Sequence, residues 1–186
     1  DTIDVMYIDN NNIDRKGGQL IAQVLGSNKF LRCLWLDDNA IHVKGAKAIA
    51  EALKVNKTLR RLYLNGNSIG DEGAIAIASS LRVNSTLQEL GLERNGIGGV
   101  GIEMLCNALK ENKSLQKLWL KGNDRVPAFS ENLKDRIISD YSVTPPANSA
   151  RNTPRSHKDF KTRVKSDTRR DPGASEIGTP DDTKGL

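Results

Sequence analysis

The stretch Leu31-Arg32-Cys33-Leu34-Trp35-Leu36-Asp37-Asp38-Asn39-Ala40-Ile41-His42-Val43-Lys44-Gly45 decides the fold, because its skeleton recurs along the chain. That skeleton is Leu31, Leu34, Leu36, Asn39, Ile41 and Gly45. It returns as Leu59, Leu62, Leu64, Asn67, Ile69 and Gly73, and again as Leu87, Leu90, Leu92, Asn95, Ile97 and Gly101. Upstream it reads Ile3, Met6, Ile8, Asn11, Ile13 and Gly17, and a last partial copy holds Leu115, Leu118, Leu120 and Asn123. The period is a constant 28 residues. Self-similarity at such a period is the signature of stacked repeats that share one continuous core.

Each position has a physical reason. Pairs such as Leu62 and Leu64 alternate as a short strand does and turn one face inward. The Asn that follows each strand carries a donor and an acceptor, so stacked identical turns give it identical partners; unpaired, a buried amide is costly. The second half of each unit reads as a helix. Ala46, Ile49, Ala50 and Leu53 fall on one face at spacings of three and four, and Gly45 lets that helix start close to the strand layer. Asn56, Asn84 and Asn112 close the helices and are expected there at positive φ.

This pattern resembles the ribonuclease-inhibitor class of leucine-rich repeats, the class also seen in NOD-like receptors and Ran GTPase-activating proteins. The resemblance covers residues 3–123. It implies an α/β fold: a horseshoe-shaped leucine-rich repeat solenoid of 28-residue repeats, with a parallel sheet on the concave side and helices on the convex side. It implies protein binding on the concave face and nothing narrower, since one repeat fold hosts many functions. An intracellular, non-enzymatic interaction module is therefore expected. The alternatives are a GTPase-activating regulator of a Ran-like small GTPase, or the terminal ligand-sensing repeats of a NOD-like receptor. The first departs from its model in having a basic C-terminal region where that family is acidic, and no residue maps onto a catalytic role.

Residues 1–125 are read as the repeats, four full and one partial. The fifth copy breaks at Arg125, Pro127 and Phe129. Residues 126–143 are read as a C-terminal capping helix carrying Leu133, Ile137 and Ile138, because a terminal repeat must cover its open core. At the other end Ile3, Met6 and Ile8 stand uncovered, so further repeats or a domain are expected upstream. From Thr144 to residue 186 large apolar residues almost vanish, and a disordered basic tail is expected. Arg151, Arg155, Lys158, Lys161, Arg163, Lys165, Arg169 and Arg170 oppose only Asp159 and Asp167 between them. Weak contact with acidic protein or nucleic acid is the expectation there, with Thr-Pro pairs as candidate phosphorylation sites.

The candidate binding site lies on the strand positions flanked by core residues. That column reads Tyr7, Trp35, Tyr63, Gly91 and Trp119, which gathers four of the chain's five Trp and Tyr residues. Trp and Tyr dominate binding hot spots, although aromatics also favour mid-strand positions and stack on one another. Gly91 is expected to leave a gap for a partner's side chain. Beside the column, Asp37 and Asp38 (with Asp9) are expected at one end and Lys121 (with Arg94) at the other. Glu93 stands between them, and Arg61 beside Tyr63. This charge gradient would orient a charged partner.

Other chemistry finds little support. Gly96-Ile97-Gly98-Gly99-Val100-Gly101 spells a dinucleotide-type glycine pattern, yet Ile97 and Gly101 are repeat positions and no acidic residue closes a following strand. Asn56-Lys57-Thr58, Asn84-Ser85-Thr86 and Asn112-Lys113-Ser114 are glycosylation sequons that share one repeat phase, so helix-end chemistry explains them. His42 and His157 lie far apart in sequence, and Cys33 and Cys106 belong to opposite layers. No metal, cofactor or catalytic residue is expected. Hydrophobic residues make up 37% and no apolar run is long enough to span a bilayer. Two cysteines and the lack of a signal region fit a reducing compartment, so a cytoplasmic monomer is expected, and a start at Asp1 reads as a fragment or processed product.

Overall fold

The computed structural model describes residues 3–124, 133 and 135–139. Its elements alternate: β1 (Val5–Tyr7), α1 (Arg15–Ser27), β2 (Cys33–Trp35), α2 (His42–Val55), β3 (Arg61–Tyr63), α3 (Gly70–Leu81), β4 (Glu89–Gly91), α4 (Gly99–Glu111), β5 (Lys117–Trp119) and β6 (Ile137–Ile138). The strands form one parallel sheet in sequence order. Its register is set by the repeat, Val5 facing Cys33, Cys33 facing Arg61, Arg61 facing Glu89 and Glu89 facing Lys117. The molecule is the leucine-rich repeat solenoid that the repeat implied.

The core lies between sheet and helices. Leu34, Leu62, Leu90 and Leu118 project into it from the strands and meet Ile49, Leu53, Ile77, Leu81, Leu105 and Leu109 from the helices. Small residues set the spacing. A side chain at Gly45 would meet Ile41 Cγ2 at 2.5 Å and Gly18 Cα at 3.4 Å, so both glycines are needed for α1 and α2 to lie this close.

The asparagine column behaves as its chemistry requires. Asn67 Nδ2 donates to the carbonyls of Leu36 (2.9 Å) and Asn65 (3.0 Å), while its Oδ1 accepts from Ile41 N (3.3 Å). Asn95 and Asn123 repeat this one and two turns on, Asn95 Oδ1 accepting from Asn67 N at 2.8 Å and Asn123 Oδ1 from Asn95 N at 2.9 Å. Each rung thus ties its own turn to the preceding one.

The second asparagine column works differently from the expectation. Asn28, Asn56 and Asn112 have φ of −67°, −68° and −71°, so none is left-handed. Asn56 instead accepts from the N–H groups of Thr58 (2.9 Å) and Leu59 (2.8 Å) through Oδ1, while Nδ2 donates to Leu25 O of the preceding helix (2.7 Å). Asn84 and Asn112 do the same. These amides are buried and committed to the backbone, which accounts for the three sequons.

The C-terminal expectation also needs correction. Ile137 and Ile138 are not helical; they form β6, paired in parallel with β5. The free edge of β5 supplies backbone groups, with Leu118 N donating to Arg136 O (2.7 Å) and Leu120 N to Ile138 O (2.9 Å). Arg136 takes the place of the next asparagine. Its Nη1 donates to Leu109 O (2.8 Å) and its Nη2 to Asn112 O (2.7 Å), the carbonyls equivalent to those Asn112 Nδ2 satisfies at Leu81 and Asn84. A long planar donor finishes the ladder without a further repeat. Residues 125–132 and the whole of 144–186 lie outside the described residues, so the expectations for the break at Pro127 and for the tail fall there too. At the β1 end, Ile3, Met6 and Ile8 line a groove of about 570 Å³ with Leu20, Val24 and Phe30.

Candidate functional site: the open face of the sheet

Alternation places Tyr7, Trp35, Tyr63 and Trp119 on the face of the sheet away from the helices. There they form a ladder. Tyr7 and Trp35 stack with centroids 5.7 Å apart, Trp35 and Tyr63 at 4.0 Å, and Tyr63 and Trp119 at 5.7 Å with planes tilted by 51°. The last pair crosses β4, where Gly91 carries no side chain. A Cβ at Gly91 would lie 2.9 Å from Tyr63 Cδ1 and 2.9 Å from Asn65 Oδ1. The gap expected at Gly91 is therefore filled by the protein's own Tyr63 ring and is not open to a partner.

Packing has consequences for accessibility. Tyr63 is 8% and Trp119 4% exposed, while Tyr7 and Trp35 are half-buried. Cys33 lies beneath the ladder, and burial pushes its thiol up, opposed by the nearby Arg61 charge. Tyr63 Oη donates to Glu89 Oε2 at 2.5 Å, and burial together with that carboxylate drives its phenol far above its ordinary value. The sequence pattern does not single out Glu89, and it places Cys33 only in the layer opposite Cys106. The 28-residue register does put Glu89 across from Arg61 and one strand from Tyr63, so that signal was present.

Several of the flanking charges are engaged within the protein. Asp9 Oδ1 accepts from Asp37 N (2.8 Å), Asp37 Oδ1 from Asn65 N (2.8 Å) and Asn65 Oδ1 from Glu93 N (2.7 Å). Asp37 and Glu93 thus belong to a side-chain-to-backbone column one strand apart at each step. Burial raises Asp37 to about 7, against the two hydrogen bonds from Asn65. Glu93 is raised by burial too, and Lys121 and Arg94 oppose that shift. Asp38 pairs with Arg94 Nη2 at 3.3 Å across Gly66, whose φ is +66° and whose added Cβ would strike Asp38 Oδ1 at 2.2 Å. The acidic and basic poles read from the sequence are in part bonded to each other. Arg61 is exposed and stands opposite Glu89.

The glycine pattern at residues 96–101 is occupied by the chain itself. Asp71 Oδ1, from α3, accepts from Gly98 N (2.7 Å) and Gly101 N (2.9 Å) at the start of α4. The donors that a phosphate would need are spent on a carboxylate of the preceding repeat. Among the described residues no group of His, Cys, Asp and Glu is placed to hold a metal ion, and no helix is long and apolar enough to cross a membrane.

This arrangement, strands in strict register with an aromatic open face, meets a specific family model. The TMOD/LMOD Leucine-rich domain matches residues 40–139. The chain belongs to the TMOD/LMOD leucine-rich-repeat family. A general leucine-rich repeat model also matches residues 27–50. Among solved structures, "Leiomodin-1 Actin-Binding Site 2 (ABS2)" is similar with a TM-score of 0.61 and 30% identity, over 69% of this chain and 75% of that one. No curated protein sequence matches the chain. The TMOD/LMOD match narrows the broader repeat resemblance and supports a protein-binding module. It lends nothing to the GTPase-activating or receptor alternatives.

Proposed function

We propose that this chain is a non-enzymatic binding module that presents the open face of its sheet to actin. The observation that carries this reading is the ladder Tyr7–Trp35–Tyr63–Trp119 on the sheet face that the described helices leave open, in a chain of the same family as an actin-binding site of leiomodin-1. Half-buried Tyr7 and Trp35 supply accessible aromatic area. Tyr63 and Trp119 act as the rigid backing that holds it, since a ring locked by packing loses little entropy on binding. Asp37, Asp38, Arg61, Glu93 and Lys121 frame the rings and set orientation more than affinity. Binding as a monomer in the cytoplasm fits this reading.

The test is co-sedimentation with filamentous actin and titration of monomeric actin, using the parent chain and Trp35→Ala, with circular dichroism confirming the fold. Losing one desolvated aromatic anchor is expected to cost about 2 kcal/mol, a weakening of roughly thirtyfold. A parent chain that binds neither form of actin would remove the partner assignment. Undiminished binding by Trp35→Ala would remove the site from the ladder.

A further inference from the structure

A second surface stands apart from the aromatic ladder, on the rim where the helices end and the strands begin. The turn after each helix runs Asn28-Lys29-Phe30-Leu31-Arg32, then Asn56-Lys57-Thr58-Leu59-Arg60, then Asn84-Ser85-Thr86-Leu87-Gln88, then Asn112-Lys113-Ser114-Leu115-Gln116. These turns are stacked by their backbones. Arg60 N donates to Arg32 O (2.8 Å), Gln88 N to Arg60 O (2.7 Å) and Gln116 N to Gln88 O (2.7 Å). Asn56 Nδ2 and Asn84 Nδ2 likewise reach the carbonyls of Asn28 and Asn56. Arg32 therefore stands one strand from Arg60, a step of about 4.8 Å, and Lys29 stands one turn from Lys57.

All four side chains are exposed, and none has an ion pair among the described residues. Several acids of these repeats are engaged elsewhere. Glu51 pairs with Lys54, Glu111 with Arg82, and Glu89 with the Tyr63 hydroxyl. Asp4, which precedes Arg32 in the same column, makes no ion pair with it within 4.0 Å. Like charges stacked on neighbouring strands repel. The fold does not require them either, because the next repeats carry Gln88 and Gln116 in the arginine column with the same backbone bonds, and Ser85 in the lysine column before it resumes at Lys113. Phe30, 56% exposed, stands between Lys29 and Arg32.

We infer that Lys29, Arg32, Lys57 and Arg60 form a docking site for an acidic helical segment of a protein partner, with Phe30 seating an apolar residue of that segment. The spacing favours a helix. Carboxylates at i and i+4 of a helix lie about 5–6 Å apart, close to the step between the stacked cations. One aromatic in the patch is too few to stack successive bases, which disfavours a single-stranded nucleic acid. The site is independent of the actin reading, because it shares no residue with the ladder.

The experiment uses the full chain and a fluorescently labelled helical peptide carrying Glu pairs at i and i+4 with one Leu between them. The rim variant Lys29→Ser, Arg32→Gln, Lys57→Ser, Arg60→Gln borrows its residues from the chain's own later repeats. A second variant changes Lys161, Arg163, Arg169 and Arg170 to Gln, because those cations too would attract the peptide. Anisotropy titration is expected to show binding that weakens with salt, falls about tenfold or more in the rim variant and is kept by the second variant. The rim variant's melting temperature should be equal to the parent's or higher. The inference is overturned by a parent that does not bind, by a rim variant that binds as the parent does, or by a loss confined to the second variant. A melting temperature lowered in the rim variant would make the cations structural and overturn it as well. Tighter rim-dependent binding of phosphatidylserine vesicles or of single-stranded RNA would overturn the choice of a protein partner.

Discussion

In the column after the strands, Asn39, Asn67, Asn95 and Asn123 are one residue type doing one task, whereas the column on the open face changes from Tyr7 to Trp35 to Tyr63, skips Gly91 and resumes at Trp119. Both columns run along the same sheet and both are largely buried. Their polar atoms are treated differently. Asn67 is fully buried and its amide is bonded to the backbone of its own turn and of the preceding one. The indole Nε1 of Trp119 is buried with no hydrogen-bond partner among the described residues. A buried backbone needs its partners in every repeat, so the amide column cannot vary. Ring stacking tolerates any aromatic, and even a missing rung, so that column is free to be shaped by what the face binds.

The comparison breaks most visibly at Asn67. In Asn67→Ala the N–H of Ile41 loses its acceptor in a dry interior, and the carbonyls of Leu36 and Asn65 each lose one of two donors, at roughly 1–3 kcal/mol for a buried group left unpaired and about 1 kcal/mol for each further hydrogen bond lost. A total loss of about 3 kcal/mol is expected, read by urea denaturation. Trp35→Ala, which removes more atoms, should cost less because its rung is half-exposed. If Asn67→Ala unfolds at the parent's midpoint, the amide column is not what ties one turn to the next.

Gly91 gives the middle-sized effect. In Gly91→Ala the new methyl must displace the Tyr63 ring or the Asn65 amide, both 2.9 Å away. Overpacking of this kind costs about 1–3 kcal/mol. The displaced ring also separates from Trp119, so tryptophan emission should change along with stability. Unchanged emission and stability would mean that the space over β4 is empty, as first read from the sequence.

The fold was legible because the repeat writes the same instruction several times. Leu62, Leu64, Asn67, Ile69 and Gly73 identify strand, turn and helix start, and the neighbouring copies repeat the reading. The face was legible only as a set of positions. Period-two alternation says that Tyr63 and Trp119 share a side, but it says nothing of how far a ring reaches across a glycine, and so alternation alone makes Gly91 look like a gap. Asp38 and Arg94 lie two strands apart, and their pairing depends on Gly66 leaving a lane between them. The helix ends are ambiguous in the sequence for a related reason. An asparagine after a helix can take a positive φ or bond neighbouring turns, and only the stacked carbonyl of Leu25 decides for the second at Asn56. At β6 the deciding term was the free edge of β5, which rewards the Ile137–Ile138 pair for extending, where local pattern alone suggested a helix.

The smallest effect sharpens the comparison by turning one column toward the other. Asp37 holds the N–H of Asn65 as Asn65 holds that of Glu93, yet it does so with a charge that burial disfavours. Its pKa of about 7 stands above the value of 3.8 expected in the unfolded chain, so the folded state binds the proton more tightly. Any stability this group contributes is fully present below about pH 4 and is lost as pH rises through 7. Asp37→Asn keeps an acceptor for Asn65 N and removes the titration. The variant is expected to match the parent near pH 4, to pull ahead as the pH rises, and to exceed it by about 1 kcal/mol at pH 8, a value reduced for the solvent that reaches this half-buried site. Denaturant midpoints measured from pH 4 to 8 check this. Parallel curves for parent and variant would show that the carboxylate is ionised at no cost, and that the column at Asp9, Asp37, Asn65 and Glu93 serves the fold as well with a charge as with an amide.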